Sequence, residues 1–288
     1  MTWLWLAILT ALFTSLVDIL SKTIIRKVDV YVISWGAMFF SLPFLYATLA
    51  VRGIPPIGQA FFPALGVSTV LLIVASILYF KAIRSSDLSV TMPMLTFTPL
   101  FLLVTSPLML GEIPGPFGIT GILLIVGGSY VLHFRHRHRG YLEPFFQLIR
   151  MPGPRYMLIV AAMYSIGSNI DKIGVVNSSP LMWITMMNTG VALGIGVIMV
   201  PKVRGLGPQI RSVWPVLLMM GLCNAVAVIC QMTAITMTLV PYLIAVKRTS
   251  VVMTSLFGFF LFKEKGVKER LVGAFLMVLG VFLIAGYS

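Results

Sequence analysis

The sequence predicts an all-α polytopic membrane protein with ten transmembrane helices arranged as two inverted repeats of five. Three observations carry that prediction. The 288-residue chain is 59% hydrophobic and only 10% charged, with a mean hydropathy of +1.02. That is more apolar surface than a water-soluble domain of this size can hide. The apolar residues gather into ten stretches of about 20 residues, the length an α-helix needs to cross a bilayer. The first five stretches recur in the last five at a nearly constant offset. Alternating polarity in segments of about ten residues, the mark of a membrane barrel, is missing from the sequence.

The candidate spans run over 3–24, 30–51, 63–83, 88–110 and 115–134, then 155–174, 180–200, 212–237, 240–262 and 267–286. Clusters such as "RGIPPIG", "GEIPGPFG", "RMPGPR" and "PKVRGLGP" separate them, because Pro and Gly end helices. The opening "MTWLWLAILTALFTSLVDILSK" has no basic leader and no small-residue cleavage site, so it reads as a retained helix. The long link divides the chain into a first five-helix repeat (1–134), a basic linker (135–154) and a second five-helix repeat (155–288).

The repeats align residue by residue. "SLVDILSK" (15–22) matches "SIGSNIDK" (165–172), pairing Ser15 with Ser165 and Lys22 with Lys172. "VRG" (51–53) matches "VRG" (203–205), Glu112 matches Glu264, Gly121 matches Gly273, and Gly128 matches Gly280. An odd number of spans per half sends the second half through the membrane upside down. That is the plan of many secondary transporters, whose substrate site lies near the midplane between the halves.

The net charge of +13 raises the question of nucleic acid, and its distribution answers it. Of 21 Lys and Arg, 17 lie in or beside the odd-numbered links, two (Arg52, Lys172) beside even links, and the last two are Lys247 and Arg248. This is the pattern of membrane topology, not of a basic groove. It places the odd links in the cytoplasm and both termini outside, in a bacterial or archaeal cytoplasmic membrane. The three histidines of "HFRHRHR" (133–139) have no acidic or thiol neighbour and read as a solvated loop, so no metal is expected. Cys223 and Cys230 share one predicted helix about 10 Å apart, too far for a disulfide. No nucleophile–base pair or phosphate-binding glycine loop is visible, so neither an enzyme nor a cofactor is expected.

Two stretches carry a family resemblance. "PLFLLVTSPLMLGEIPGPFGITGILLIVGG" (99–128) and "VVMTSLFGFFLFKEKGVKERLVGAFLMVLG" (251–280) share a glycine–glutamate or lysine–glutamate close and a spaced glycine pair. On these motifs, over nearly the whole chain, the sequence resembles the EamA-type drug/metabolite transporter superfamily. The resemblance implies ten helices around a central cavity lined mainly by spans 1–4 and 6–9, with spans 5 and 10 peripheral. "VKRTSV" (246–251) is similar to the ninth-span motif of the sugar-phosphate/phosphate translocators, in which adjacent Lys and Arg grip the substrate phosphate. Only Lys247 and Arg248 carry over, since Leu95 stands where that branch has a lysine four residues before Pro99.

Polar residues inside spans are costly in lipid and face a bundle interior or a cavity. Stripes at helical spacing comprise Ser15, Asp18 and Lys22; Ser165, Ser168, Asn169 and Lys172; Thr185, Asn188 and Thr189; and Asn224, Gln231 and Thr238. Interhelical hydrogen bonding is the competing role for any of them. Lys247 and Arg248 are the sharpest case. Snorkelling would explain one of them, but helical neighbours point about 100° apart, and no acid lies within a turn. A buried basic pair short of internal partners calls for an anion, with Arg supplying a fork and Lys a compact charge.

The reading is a secondary transporter for a small phosphate- or carboxylate-bearing metabolite. Lys247 and Arg248 bind the anionic group, and Asn224, Gln231, Asn188 and Asn169 hydrogen-bond the rest. Asp18 is the candidate for coupling to H+ or a counter-substrate, against an ion pair with Lys22. Pro93 and Pro99 are candidate kink or gating positions in span 4. Glu112 and Glu264 hold the start of the following helix. Trp35 and Trp183 anchor at the interface. The partners are the anionic substrate and the lipid bilayer, with no nucleic acid. A flippase for a phosphorylated lipid carrier and an exporter of amino acids or drug-like metabolites are the alternatives.

Overall fold

A computed structural model describes residues 2–86, 91, 94–133, 151–254 and 267–287. Among them the chain is entirely helical: α1 (Thr2–Ile24), α2 (Val30–Phe39), α3 (Leu42–Arg52), α4 (Phe61–Ser85), α5 (Thr98–Leu110), α6 (Pro116–His133), α7 (Pro152–Val176), α8 (Pro180–Lys202), α9 (Leu206–Ala234), α10 (Val240–Lys247) and α11 (Val267–Tyr287). Among the described residues, five segments are long and apolar enough to cross a membrane: α1, α2 with α3 taken as Val30–Arg52, α4, α8 and α9. Glu264, Pro93 and residues 134–150 lie outside the described residues.

Helix ends follow local chemistry. Asp29 caps α2 by accepting from the Tyr31 amide, and Ser179 caps α8 by accepting from the Met182 amide. Gly53 and Gly205, the repeat-related glycines of the two "VRG" triplets, both have positive φ (78° and 65°), a conformation that side chains with a Cβ resist.

The second span differs from its sequence-stretch expectation. It breaks at Phe40 and Ser41 into α2 and α3, with Pro43 in the first turn of α3. A second difference lies in the fourth and ninth spans. Each is interrupted by a turn, at Thr96 and Phe97 in one and at Arg248 and Thr249 in the other. These are repeat-related positions. Pro99 therefore occupies the first turn of α5 rather than kinking a continuous helix. The ninth span breaks with Val251 in the proline's place: Thr249 N donates to Val246 O (3.0 Å) and Val251 N to Arg248 O (3.1 Å), tightening the backbone into a 3₁₀ pattern.

The helices pack mostly between halves. α1 lies against α9, and α4 against α7; α2 and α3 meet α8, α5 meets α10, and α6 meets α11. Exchanging each helix for its repeat partner returns the same set of pairs. The α6–α11 crossing is a close one. A Cβ on Gly121 would sit 2.7 Å from the Gly280 carbonyl oxygen, and one on Gly128 would sit 2.6 Å from that of Gly273. The lower-numbered glycine of one helix meets the higher-numbered glycine of the other, so these two helices run antiparallel. Small residues at such crossings let backbones approach where lipid gives no hydrophobic drive.

Candidate functional site

The turn at Arg248 and Thr249 delivers two adjacent charges into the bundle. Arg248 is 4% exposed. One terminal guanidinium nitrogen donates to Thr98 Oγ1 at 2.9 Å, and the guanidinium carbon lies 5.9 Å from the centre of the Tyr164 ring, within cation–π range. Arg248 Nε is buried without an acceptor among the described residues. Lys247 Nζ donates to Gln231 Oε1 at 2.5 Å. Asn224 Nδ2 is also buried without an acceptor among the described residues. Leaving such a donor unsatisfied costs about 1–3 kcal/mol, more if charged.

Arg248, Lys247, Gln231 and Asn224 line one cavity of about 190 Å³, together with Asn188, Ser68, Tyr79, Tyr164, Ser168 and Leu95. Asn188 is fixed by a 2.9 Å bond from Nδ2 to Ser41 Oγ. Asn169 is not among the lining residues: it accepts from Ser106 Oγ (2.6 Å) and donates to Thr105 Oγ1 (3.0 Å), tying α7 to α5.

Two carboxylates line the same cavity, which changes the expectation that the basic pair lacks internal counter-charge. Asp18 accepts from the Tyr79 hydroxyl at 2.6 Å and from Thr254 Oγ1 at 3.5 Å. Among the described residues it makes no ion pair with Lys22; it faces across to α4 instead of down its own helix. Asp171 accepts from Ser68 Oγ (2.9 Å) and Trp183 Nε1 (3.2 Å). Trp183 is therefore not an interfacial anchor. It is fully buried, edge-on to Phe61, with its ring where a Cβ on Gly174 would fall. Trp35 is half-buried and stacks on Phe39 at 4.3 Å. Tyr79, Tyr164 and Ser68 were missed because a lone tyrosine or serine in an apolar span carries no periodic signal. Asp171 was visible beside Lys172, but its partners come from two other helices.

Glu112 lies apart from the cavity. Gly111 ends α5 in the left-handed conformation (φ 68°) and turns the chain. Glu112 then pairs with Lys172 and accepts from the Val240 amide at 2.8 Å, while Lys172 Nζ also donates to Thr238 O at 2.9 Å. The helix start it holds is that of α10, in the other half, not that of the following α6. Among the described residues no group of three His, Cys, Asp and Glu has metal-ligating proximity.

The model of the EamA-like transporter family matches residues 1–134 and 151–286. The chain belongs to the EamA-like transporter family. It is accordingly a multi-pass membrane transporter, and the family match falls into two parts. No curated protein matches the chain. A solved structure described only as "Crystal structure of protein" has the same fold, with a TM-score of 0.77 at 14% identity over 98% of this chain and 95% of that one.

Proposed function

We propose that this EamA-family protein is a secondary-active transporter that carries a small anionic metabolite by alternating access. Ten spans form two inverted halves, 1–134 and 155–288, joined by the basic linker. The exchange-symmetric helix pairing and the antiparallel glycine crossing support that arrangement. The charge distribution supports cytoplasmic odd links and external termini.

The observation that carries the anion reading is Arg248, buried in the cavity with Nε lacking an acceptor among the described residues and Lys247 beside it. A carboxylate or phosphate accepts from both. Asn224, whose Nδ2 also has no acceptor among the described residues, then meets the remainder of the substrate. The test is a thermal-shift screen of phosphorylated and carboxylated metabolites on purified protein, followed by uptake with the ligands that stabilise it. Lys247→Ala and Arg248→Ala should fold and elute as the parent does yet fail to transport. Uptake at the parent's rate by both variants would sink the reading.

A second reading, export of an amino acid, is favoured by Asp18 and Asp171 in the same cavity, since a carboxylate suits the ammonium of a zwitterion. Amino acids belong in the same screen. Stabilisation by amino acids and not by simple phosphates or carboxylates would decide for it.

A further inference from the structure

The described charged residues that line the cavity are Asp18, Asp171, Lys247 and Arg248, two of each sign. Neither carboxylate is used up in a local ion pair among the described residues. Asp18 is held by Tyr79 and Thr254, and Asp171 by Ser68 and Trp183, all neutral donors. Their charges therefore face the cavity that holds the basic pair. Among the described residues, the only other titratable groups lining it are the phenols Tyr79 and Tyr164.

We infer that Asp18 and Asp171 are counter-charges that keep the empty site neutral and let the unloaded carrier reorient, so that the protein performs net transport and not obligatory exchange. The inference rests on the alternating-access reading. A carrier whose site holds two bare cations would have to bury or move them uncompensated when it turns over empty. Charge in the bilayer interior is costly, and its movement is opposed or driven by the membrane potential. Such a carrier returns only when loaded. Here the compensation is built in.

The placement of the two carboxylates fits that task. Asp18 lies toward the C-terminal end of α1 and Asp171 toward that of α7. In the ten-span topology those ends are on opposite faces, with Lys247 and Arg248 between them. Whichever end opens, one carboxylate stays closed in with the cations. The two are not copies of one repeat position, because Asp18 aligns with Ser168 and Asp171 with Ser21. The two halves thus supply their carboxylates from different repeat positions. With a neutral empty site only the loaded step carries charge, so an inside-negative potential drives an anion outward.

The test needs no ligand. Leu72 lines the cavity in the middle of α4. Leu72→Cys is placed in a Cys223→Ser, Cys230→Ser background and reconstituted in phosphatidylethanolamine–phosphatidylglycerol vesicles. A membrane-impermeant maleimide is applied from inside or outside. The expected result is labelling from both sides at rates that a potassium diffusion potential leaves unchanged. Asp171→Asn and Lys247→Gln should each slow labelling from one side about tenfold or more, and should respond to the potential in opposite directions. Combining Asp171→Asn with Lys247→Gln should restore two-sided, potential-insensitive labelling, a rescue that simple destabilisation cannot give. Labelling from one side alone in the parent overturns the inference. So do single variants that label as the parent does. In either case the thermal-shift and uptake assays decide the transport reading separately.

Discussion

Glu112, just beyond the end of α5 in the first half, closes on Lys172 of α7 in the second and with its other oxygen accepts the Val240 amide that begins α10. One carboxylate thus joins three helices. Glu112→Ala removes an ion pair that is mostly buried (20% and 11% exposed side chains) and a helix cap together. The expected loss is about 2–4 kcal/mol, between the values for a cap and for breaking a buried pair. Glu112→Gln retains an acceptor for the amide and should lose distinctly less. Equal melting temperatures for the two variants in detergent would show that the charge and the cap contribute nothing separable.

Gln231 holds Lys247 at 2.5 Å and lines the cavity with it. Gln231→Leu fills similar space without an acceptor. Lys247 then loses its fixed position, and affinity for the anion identified in the screen should fall about tenfold, as one charge-assisted hydrogen bond predicts. Isothermal titration of the purified variant measures it. Unchanged affinity would mean that the amide only packs.

The α6–α11 crossing distinguishes two adjacent glycines. A Cβ on Gly128 would fall 2.6 Å from the Gly273 carbonyl, whereas one on Gly127 meets nothing within 4 Å. Gly128→Ala should destabilise by about 1–3 kcal/mol, the usual cost of overpacking. Gly127→Ala should be neutral or slightly stabilising, since alanine is the better helix former. Thermal melts of the two single variants compare them directly.

Topology is tested at Ile113, which is 75% exposed in the link that carries Glu112. In whole cells, Ile113→Cys should react with an impermeant maleimide, and Lys202→Cys, at the end of α8, should react only after the membrane is opened. Both substitutions are made with Cys223 and Cys230 replaced by Ser. The reverse pattern would invert the orientation derived from the Lys and Arg distribution.

Most of the fold was legible because lipid makes helices obligatory and Pro–Gly clusters mark their ends. The repeat was legible in Gly121, Gly128 and the two "VRG" triplets, which recur for backbone reasons. Lys247, Arg248, Asn224 and Gln231 could be placed on interior faces because their polarity is intolerable in lipid. What could not be read was pairing between helices. Asp171 meets Trp183 and Ser68 from two other helices, and Asn169 turns to Thr105 and Ser106 instead of the cavity; in each case the choice is made by tertiary packing. The interruption of span 9 was hidden as well, because no proline or glycine announces it.

The matched turns at Thr96 and Phe97 and at Arg248 and Thr249 have a consequence for how such a chain can be repurposed. One turn precedes a proline and the other does not, and one bears a charge where the other bears a threonine. The scaffold therefore provides two sockets whose location is independent of what fills them. Leu95, at the edge of the first turn, lines the chamber, so a substitution there changes its electrical character from the first half of the chain.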